Sequence, residues 1–190
     1  MTGGGNIVSI FGSSRSDTES PDYRQAYEVG REVAECGFVV CNGGYGGTME
    51  ASAKGAKETA KSTVPSGART IGVIVNSFGG RSANRWIDTV ITVDTMVDRL
   101  LKLISLGDAY VVLKGGTGTL LEFAAVWEFM NKRLMHEKPI IVVGQFWNGT
   151  ITTLRDELAW EGLEHCTSYV TVVSSPVECG RILRSLHTKE

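Results

Sequence analysis

Apolar positions along this chain fall into short unbroken runs, separated by longer stretches in which they recur every three or four residues. The runs are Ile7–Phe11, Phe38–Cys41, Thr70–Val75, Trp86–Val93, Ala109–Leu113, Pro139–Val143 and Val170–Val173. Rich in β-branched and aromatic residues, they predict strands, and Ala109–Leu113 carries the mark of one buried on both faces in a parallel sheet. The stretches between them predict helices. Ser20-Pro21 sets an N-cap with proline at the first helical position, and Gly37 stops that helix after Cys36. An alanine-rich helix spans Thr48 to Lys61, with small residues Ala51, Ala53, Gly55 and Ala56 suited to close packing on a sheet, before Val64-Pro65-Ser66-Gly67 breaks it. Thr95-Met96-Val97-Asp98 opens the next helix with a capping-box pattern, and Gly107 ends it. Leu120 to Met130 is apolar nearly all round, only Glu122 and Glu128 being charged, which predicts cover on more than one side. Ile151 to Glu161 and a helix capped at Ser175-Pro176 complete the series. Seven strands alternating with helices predict one α/β domain over residues 1–190, Rossmann-like, with mostly parallel strands and helices on both faces.

Composition narrows the partners. A chain of 190 residues can bury roughly 70% of its unfolded surface, and its formal charge of −2 argues against a nucleic-acid partner. No apolar run approaches the ~18 residues of a membrane span, and the start of the chain lacks a charged-then-apolar signal pattern. The expectation is a cytoplasmic protein with no membrane partner. Cys36, Cys41, Cys166 and Cys179 are scattered beside apolar runs, which suits reduced core thiols. His136, His165 and His187 show no metal-type spacing, and neither a metal nor a cofactor is expected.

The chemistry gathers in three turns, each following a strand: Gly12-Ser13-Ser14, Asn42 to Gly47, and Lys114 to Thr119. In an open parallel sheet such turns meet at the carboxyl ends of the strands, where a crevice forms at the switch in strand order. The third turn, Lys114-Gly115-Gly116-Thr117-Gly118-Thr119, leads from strand to helix. Free N–H groups and the positive end of the helix dipole there favour a phosphate. Glu122 stands at the edge of this cradle, and Thr119-Leu120-Leu121-Glu122 also fits the T-x-x-E capping box, so the carboxylate can serve chemistry, the helix start, or both. The stretch Asn76 to Arg85, with Gly79, Gly80, Arg81 and Arg85, is a candidate lid or specificity loop, or a plain surface loop. Two familiar sites are excluded. The first turn reads Gly-Ser-Ser-Arg-Ser rather than G-x-G-x-x-G, and no Walker string G-x-x-x-x-G-K-[ST] occurs.

Lys114-Gly115-Gly116-Thr117-Gly118-Thr119-Leu120-Leu121-Glu122 resembles the P-G-G-x-G-T-x-x-E motif of the Lonely Guy (LOG) family, nucleoside-monophosphate phosphoribohydrolases often mislabelled as lysine decarboxylases. The resemblance covers most of the chain. Phe11-Gly12-Ser13-Ser14 and Pro21-Asp22-Tyr23 match the family's opening, and Asn42-Gly43-Gly44-Tyr45-Gly46-Gly47-Thr48-Met49 is similar to its G-G-G-x-x-G-L-M. Met96-Val97-Asp98-Arg99 falls where the family has M-H-x-R-K, and Lys138-Pro139-Ile140 matches K-P-[IV]. Lys114, Leu121, Val97, Leu100 and Asn42 depart from the pattern, marking a divergent branch for which cytokinin precursors are a poor default substrate.

The resemblance implies Arg99 and Glu122 as the catalytic pair, and a homodimer. It implies a nucleoside 5′-monophosphate such as AMP as substrate, held by Gly12, Ser13, Ser14, Gly43, Gly44, Met96, Lys114, Gly115, Gly116, Thr117, Gly118 and Thr119. The products would be free base and ribose 5-phosphate. Arg99 can instead be a helix-surface ion pair, and Lys114 can point outward. The competing class is a binding module that carries a nucleotide or phosphorylated cofactor uncleaved, similar to molybdenum-cofactor carriers. A decarboxylase would need a lysine-bound pyridoxal phosphate, for which no lysine stands out.

Overall fold

The computed structural model describes residues 7–63, 69–76, 80 and 82–186, with the backbone alone at 60–63. Residues 64–67, Gly79, Arg81 and His187, which entered the sequence reading, lie outside them. The strands are β1 (Ile7–Phe11), β2 (Val39–Asn42), β3 (Thr70–Val75), β4 (Thr89–Val93), β5 (Ala109–Val112), β6 (Ile140–Val143) and β7 (Val170–Val173). Between and after them run α1 (Pro21–Glu35), α2 (Thr48–Thr63), α3 (Met96–Leu106), α4 (Thr117–Asn131), α5 (Asn148–Trp160) and α6 (Pro176–Leu186). All seven strands join one sheet in the order β4-β3-β2-β1-β5-β6-β7, and every neighbouring pair is parallel.

That order follows from the chain moving outward from β1 in two directions. It passes β2, β3 and β4 on one side, then returns to place β5, β6 and β7 on the other. The switch lies between β1 and β5, so the turns after β1 and β5 face one crevice.

Because side chains alternate along each strand, the sheet buries two cores. Val8, Ile10, Val40, Val111, Ile141 and Val143 pack under α1, α2 and α6, whose contributions include Val29, Val33, Ala51 and Leu183. Phe11, Cys41, Val73, Tyr110, Val112 and Val142 face the other way, against Leu103 of α3, Phe123 and Trp127 of α4, and Ile151 of α5. All four cysteines are buried and none is in a disulfide.

Several boundaries differ from the sequence expectation. The fourth strand starts at Thr89, not Trp86. Asn84 Oδ1 accepts from Trp86 N–H at 3.0 Å and Thr70 Oγ1 from Asp88 N–H at 2.9 Å, which bends residues 84–88 into a turn. Gly55 serves helix packing rather than sheet packing, since a side chain there would run into the Tyr27 carbonyl of α1. The capping box of α3 is made in full: Asp98 N–H donates to Thr95 Oγ1 and Thr95 N–H to Asp98 Oδ2, both at 3.1 Å.

Helix α4 carries the largest correction. It begins at Thr117 with Gly116 as N-cap and no side-chain cap, so the Thr119–Glu122 capping box does not form. Glu122 lies in the second turn of the helix rather than the first.

Candidate functional site

A cleft of about 180 Å³ opens at the switch point, lined by Ile10, Gly12, Ser13, Ser14, Gly43, Tyr45, Met49, Arg99, Gly116, Gly118, Thr119 and Glu122. Each wall has a local cause. The turn after β1 is held to the start of α2, because Thr48 donates from both its N–H (2.9 Å) and its Oγ1 (3.0 Å) to the Ser13 carbonyl. Buried Asn42 shapes the turn after β2: Oδ1 accepts from Gly44 N–H at 2.8 Å, while Nδ2 donates to Met49 O at 2.9 Å and Ser52 Oγ at 3.1 Å. Gly44 there has φ +76°, a conformation that costs glycine little. At the third wall, no side chain caps the first turn of α4, and the space beside Gly116 and Gly118 is open. Backbone N–H groups are therefore presented to the cleft at the positive end of a 15-residue helix.

Arg99 reaches the cleft from α3 and is 8% exposed. Its Nε donates to the Val73 carbonyl of β3 at 2.9 Å, its Nη1 lies 3.5 Å from Glu122 Oε1, and its Nη2 lies 3.8 Å from Met49 Sδ. The guanidinium carbon sits 5.8 Å from the Tyr45 ring centroid. Any residue larger than glycine at position 43 would strike this guanidinium, which is why the turn needs Gly43.

Glu122 comes from α4, its side chain 13% exposed. Burial pushes its carboxyl up to about 7, against the opposing pull of the Arg99 charge. A carboxyl poised near neutrality beside a fixed guanidinium can exchange a proton with a bound molecule, or carry negative charge beneath a developing cation.

The structure thus brings together Arg99, Glu122, Gly12, Ser13, Ser14, Gly43, Gly116, Gly118 and Thr119. Others expected in the site stand apart from the cleft lining. Lys114 turns outward, its Nζ 2.8 Å from Asp22 Oδ2 and 6.0 Å from the Phe146 ring centroid. Met96, the first residue of α3, is exposed. Gly44 faces Asn42 and Asn84 with its N–H and carbonyl, and Thr117 is exposed at the head of α4. Gly115 abuts Thr119, whose side chain would overlap any Cβ there. Ile10, Tyr45 and Met49 were not singled out by the sequence reading. The one available signal was an aromatic residue inside a glycine-rich turn. In the segment after β3, Arg85 stacks on Trp86, 4.8 Å from its ring centroid, rather than entering the cleft.

Fold and cleft together define the class: a Rossmann-like α/β fold with a cleft at the switch in strand order. The chain belongs to the SLOG cluster4 family, whose family model matches residues 6–173. Over 138 residues it is 34% identical to an uncharacterized protein of Archaeoglobus fulgidus, covering 72% of this chain and 82% of that protein. It is 33% identical over 132 residues to the cytokinin riboside 5′-monophosphate phosphoribohydrolase of Mycobacterium tuberculosis, covering 67% of this chain and 65% of that enzyme. This bears out the LOG resemblance read from the motifs. Among solved structures, the molybdenum cofactor carrier protein of Chlamydomonas reinhardtii superposes with a TM-score of 0.74 at 21% identity, covering 97% of this chain and 99% of that one. At that identity the likeness is one of fold.

Proposed function

We propose that this protein hydrolyses the N-glycosidic bond of a nucleoside 5′-monophosphate, releasing the free base and ribose 5-phosphate. The observation that carries the reading is the largely buried Arg99–Glu122 pair lining the same cleft as the uncapped N-terminus of α4. A relative 33% identical to this chain is named for the same reaction.

In this reading the amides at the start of α4, together with the turns bearing Gly12–Ser14 and Gly43, receive the phosphate. That binding energy, remote from the reacting carbon, positions the sugar. Glu122 lies beneath the ribose. As the bond from C1′ to the base breaks, positive charge spreads over the ring, and an ionised Glu122 stabilises it. Water adds its oxygen to C1′ and keeps one proton there as the new hydroxyl; the carboxylate is placed to take the other proton and give it up to the departing base. Arg99 favours the ionised form of Glu122 against the effect of burial and keeps one oxygen oriented.

The second reading is a carrier that binds a nucleotide or a phosphorylated cofactor without cleaving it. It is favoured by the departures Val97 and Leu100 beside Arg99 and by the fold shared with a molybdenum cofactor carrier. A panel of nucleoside monophosphates, assayed for free base and for ribose 5-phosphate, separates the two. Hydrolysis of at least one member supports the enzyme. Tight binding with no product across the panel moves the carrier ahead.

A further inference from the structure

The turn Gly43–Tyr45 and the segment 82–86 belong to different parts of the chain, and one side chain fastens them. Asn84 donates from Nδ2 to the carbonyls of Gly44 (3.1 Å) and Tyr45 (2.8 Å), and its backbone N–H donates to Gly44 again (2.8 Å). Its Oδ1 accepts from Trp86 N–H. Both faces of the amide are thereby committed to backbone, so the side chain acts as a fixed strut.

Tyr45 hangs from that turn and is tied at its far end as well. Its hydroxyl accepts from Val75 N–H of β3 at 3.0 Å. Two residues earlier on the same strand, the Val73 carbonyl takes the Nε–H of Arg99. That bond holds the Nε end of the guanidinium, while the contacts of its two Nη groups, to Glu122 at 3.5 Å and to Met49 Sδ at 3.8 Å, are long. The Tyr45 ring supplies a further restraint, within cation–π range of the Arg99 charge.

We propose that Asn84 and Tyr45 are positioning residues that hold the Arg99 guanidinium against Glu122, so that the segment following β3 governs the ion pair of the cleft. The inference rests on the reading that this pair is the working part of the site, but its test requires no turnover. The readout is the Glu122 carboxyl itself, followed by carbon-13 NMR against pH in the ligand-free protein.

Arg99 is the group that pulls the Glu122 carboxyl down. Loosening it in Tyr45→Leu or Asn84→Ala is therefore expected to raise the midpoint, by on the order of one unit. Both substitutions are neutral, so neither adds a charge of its own. Tyr45→Phe keeps the ring but loses the bond from Val75 N–H, so its shift is expected to be smaller than that of Tyr45→Leu. An unchanged midpoint in both Tyr45→Leu and Asn84→Ala overturns the proposal, as does a shift in Tyr45→Phe equal to that in Tyr45→Leu. The nucleotide panel is independent of this result. A parent that releases no base sinks the hydrolase reading alone; a parent that hydrolyses while the midpoints stay fixed sinks the positioning role alone.

Discussion

Arg99 Nη1 lies 3.5 Å from Glu122 Oε1, and the two side chains keep only 9% and 13% of their exposure. An exposed ion pair contributes about 0–1 kcal/mol, whereas withdrawing two charges from water costs several kcal/mol per ion. A contact as long as 3.5 Å recovers only part of that cost. A pair so placed is poorly explained as a structural staple, and well explained as the working part of a cleft.

Glu122→Gln is expected to lower base release by ~10²- to 10⁴-fold, about 3–5 kcal/mol of barrier, with the fold and phosphate binding retained. Glutamine preserves shape but can neither carry negative charge beneath the ribose nor accept a proton from water. Since Glu122 does not cap α4, the ~1 kcal/mol of a lost cap is not expected. Arg99→Ala is expected to lose turnover as well and to melt lower, because the Val73 carbonyl loses its donor. Thermal melting and base release measured side by side check both variants. A Glu122→Gln protein that turns over at the parent rate would falsify the assignment.

The pH dependence should show two opposite signs. With the ionised carboxylate as the working form and a midpoint of about 7, kcat/KM is expected to rise with pH through that value. Stability should move the other way. A carboxyl raised from 4.5 to about 7 on folding contributes fully below 4.5, and the contribution is lost as pH rises through 7. The difference is on the order of 3 kcal/mol. Denaturant unfolding of the parent and of Glu122→Gln at pH 4.5 and pH 8 measures it. Parallel pH dependences of the two proteins would remove the buried-carboxylate account.

Nucleoside monophosphates are expected to bind far more tightly than the corresponding nucleosides. The open N-terminus of α4 and the flanking turns offer N–H groups to a phosphate and little to a bare sugar. Calorimetry with AMP and adenosine decides this, and equal affinities would end the cradle assignment.

A homodimer is expected, formed over α3 and α4. The apolar excess of α4 does not lie at Trp127 and Met130, which are buried in the core. It lies at Leu121, which is exposed, as are Val97 and Leu101 of α3. Sedimentation at micromolar concentration should show a dimer, and Leu121→Glu should shift it toward monomer. A parent that sediments only as monomer removes the idea.

Much of this protein was legible in one dimension. β1, β3 and β5 sit within the apolar runs because a strand buried on both faces tolerates few polar residues along its length. The α3 cap was readable because Thr95 and Asp98 need only each other's backbone. Three glycine-rich turns announced a crevice because only small residues let backbone approach a ligand. What the chain could not reveal alone were choices made by distant partners. Thr119 and Glu122 have capping-box spacing, but the Thr119 side chain is buried against Gly115, so the helix starts two residues before it. Lys114 leaves the cleft for Asp22, 92 positions away along the sequence, because α1 begins at the edge of the sheet where the turn after β5 lies. Arg99 meets Val73, Tyr45, Met49 and Glu122 only after β3, α2, α3 and α4 are in place around the sheet. Local periodicity depends on neighbours along the chain, whereas a buried charge takes its partners, and hence its chemistry, from whatever the tertiary fold sets around it.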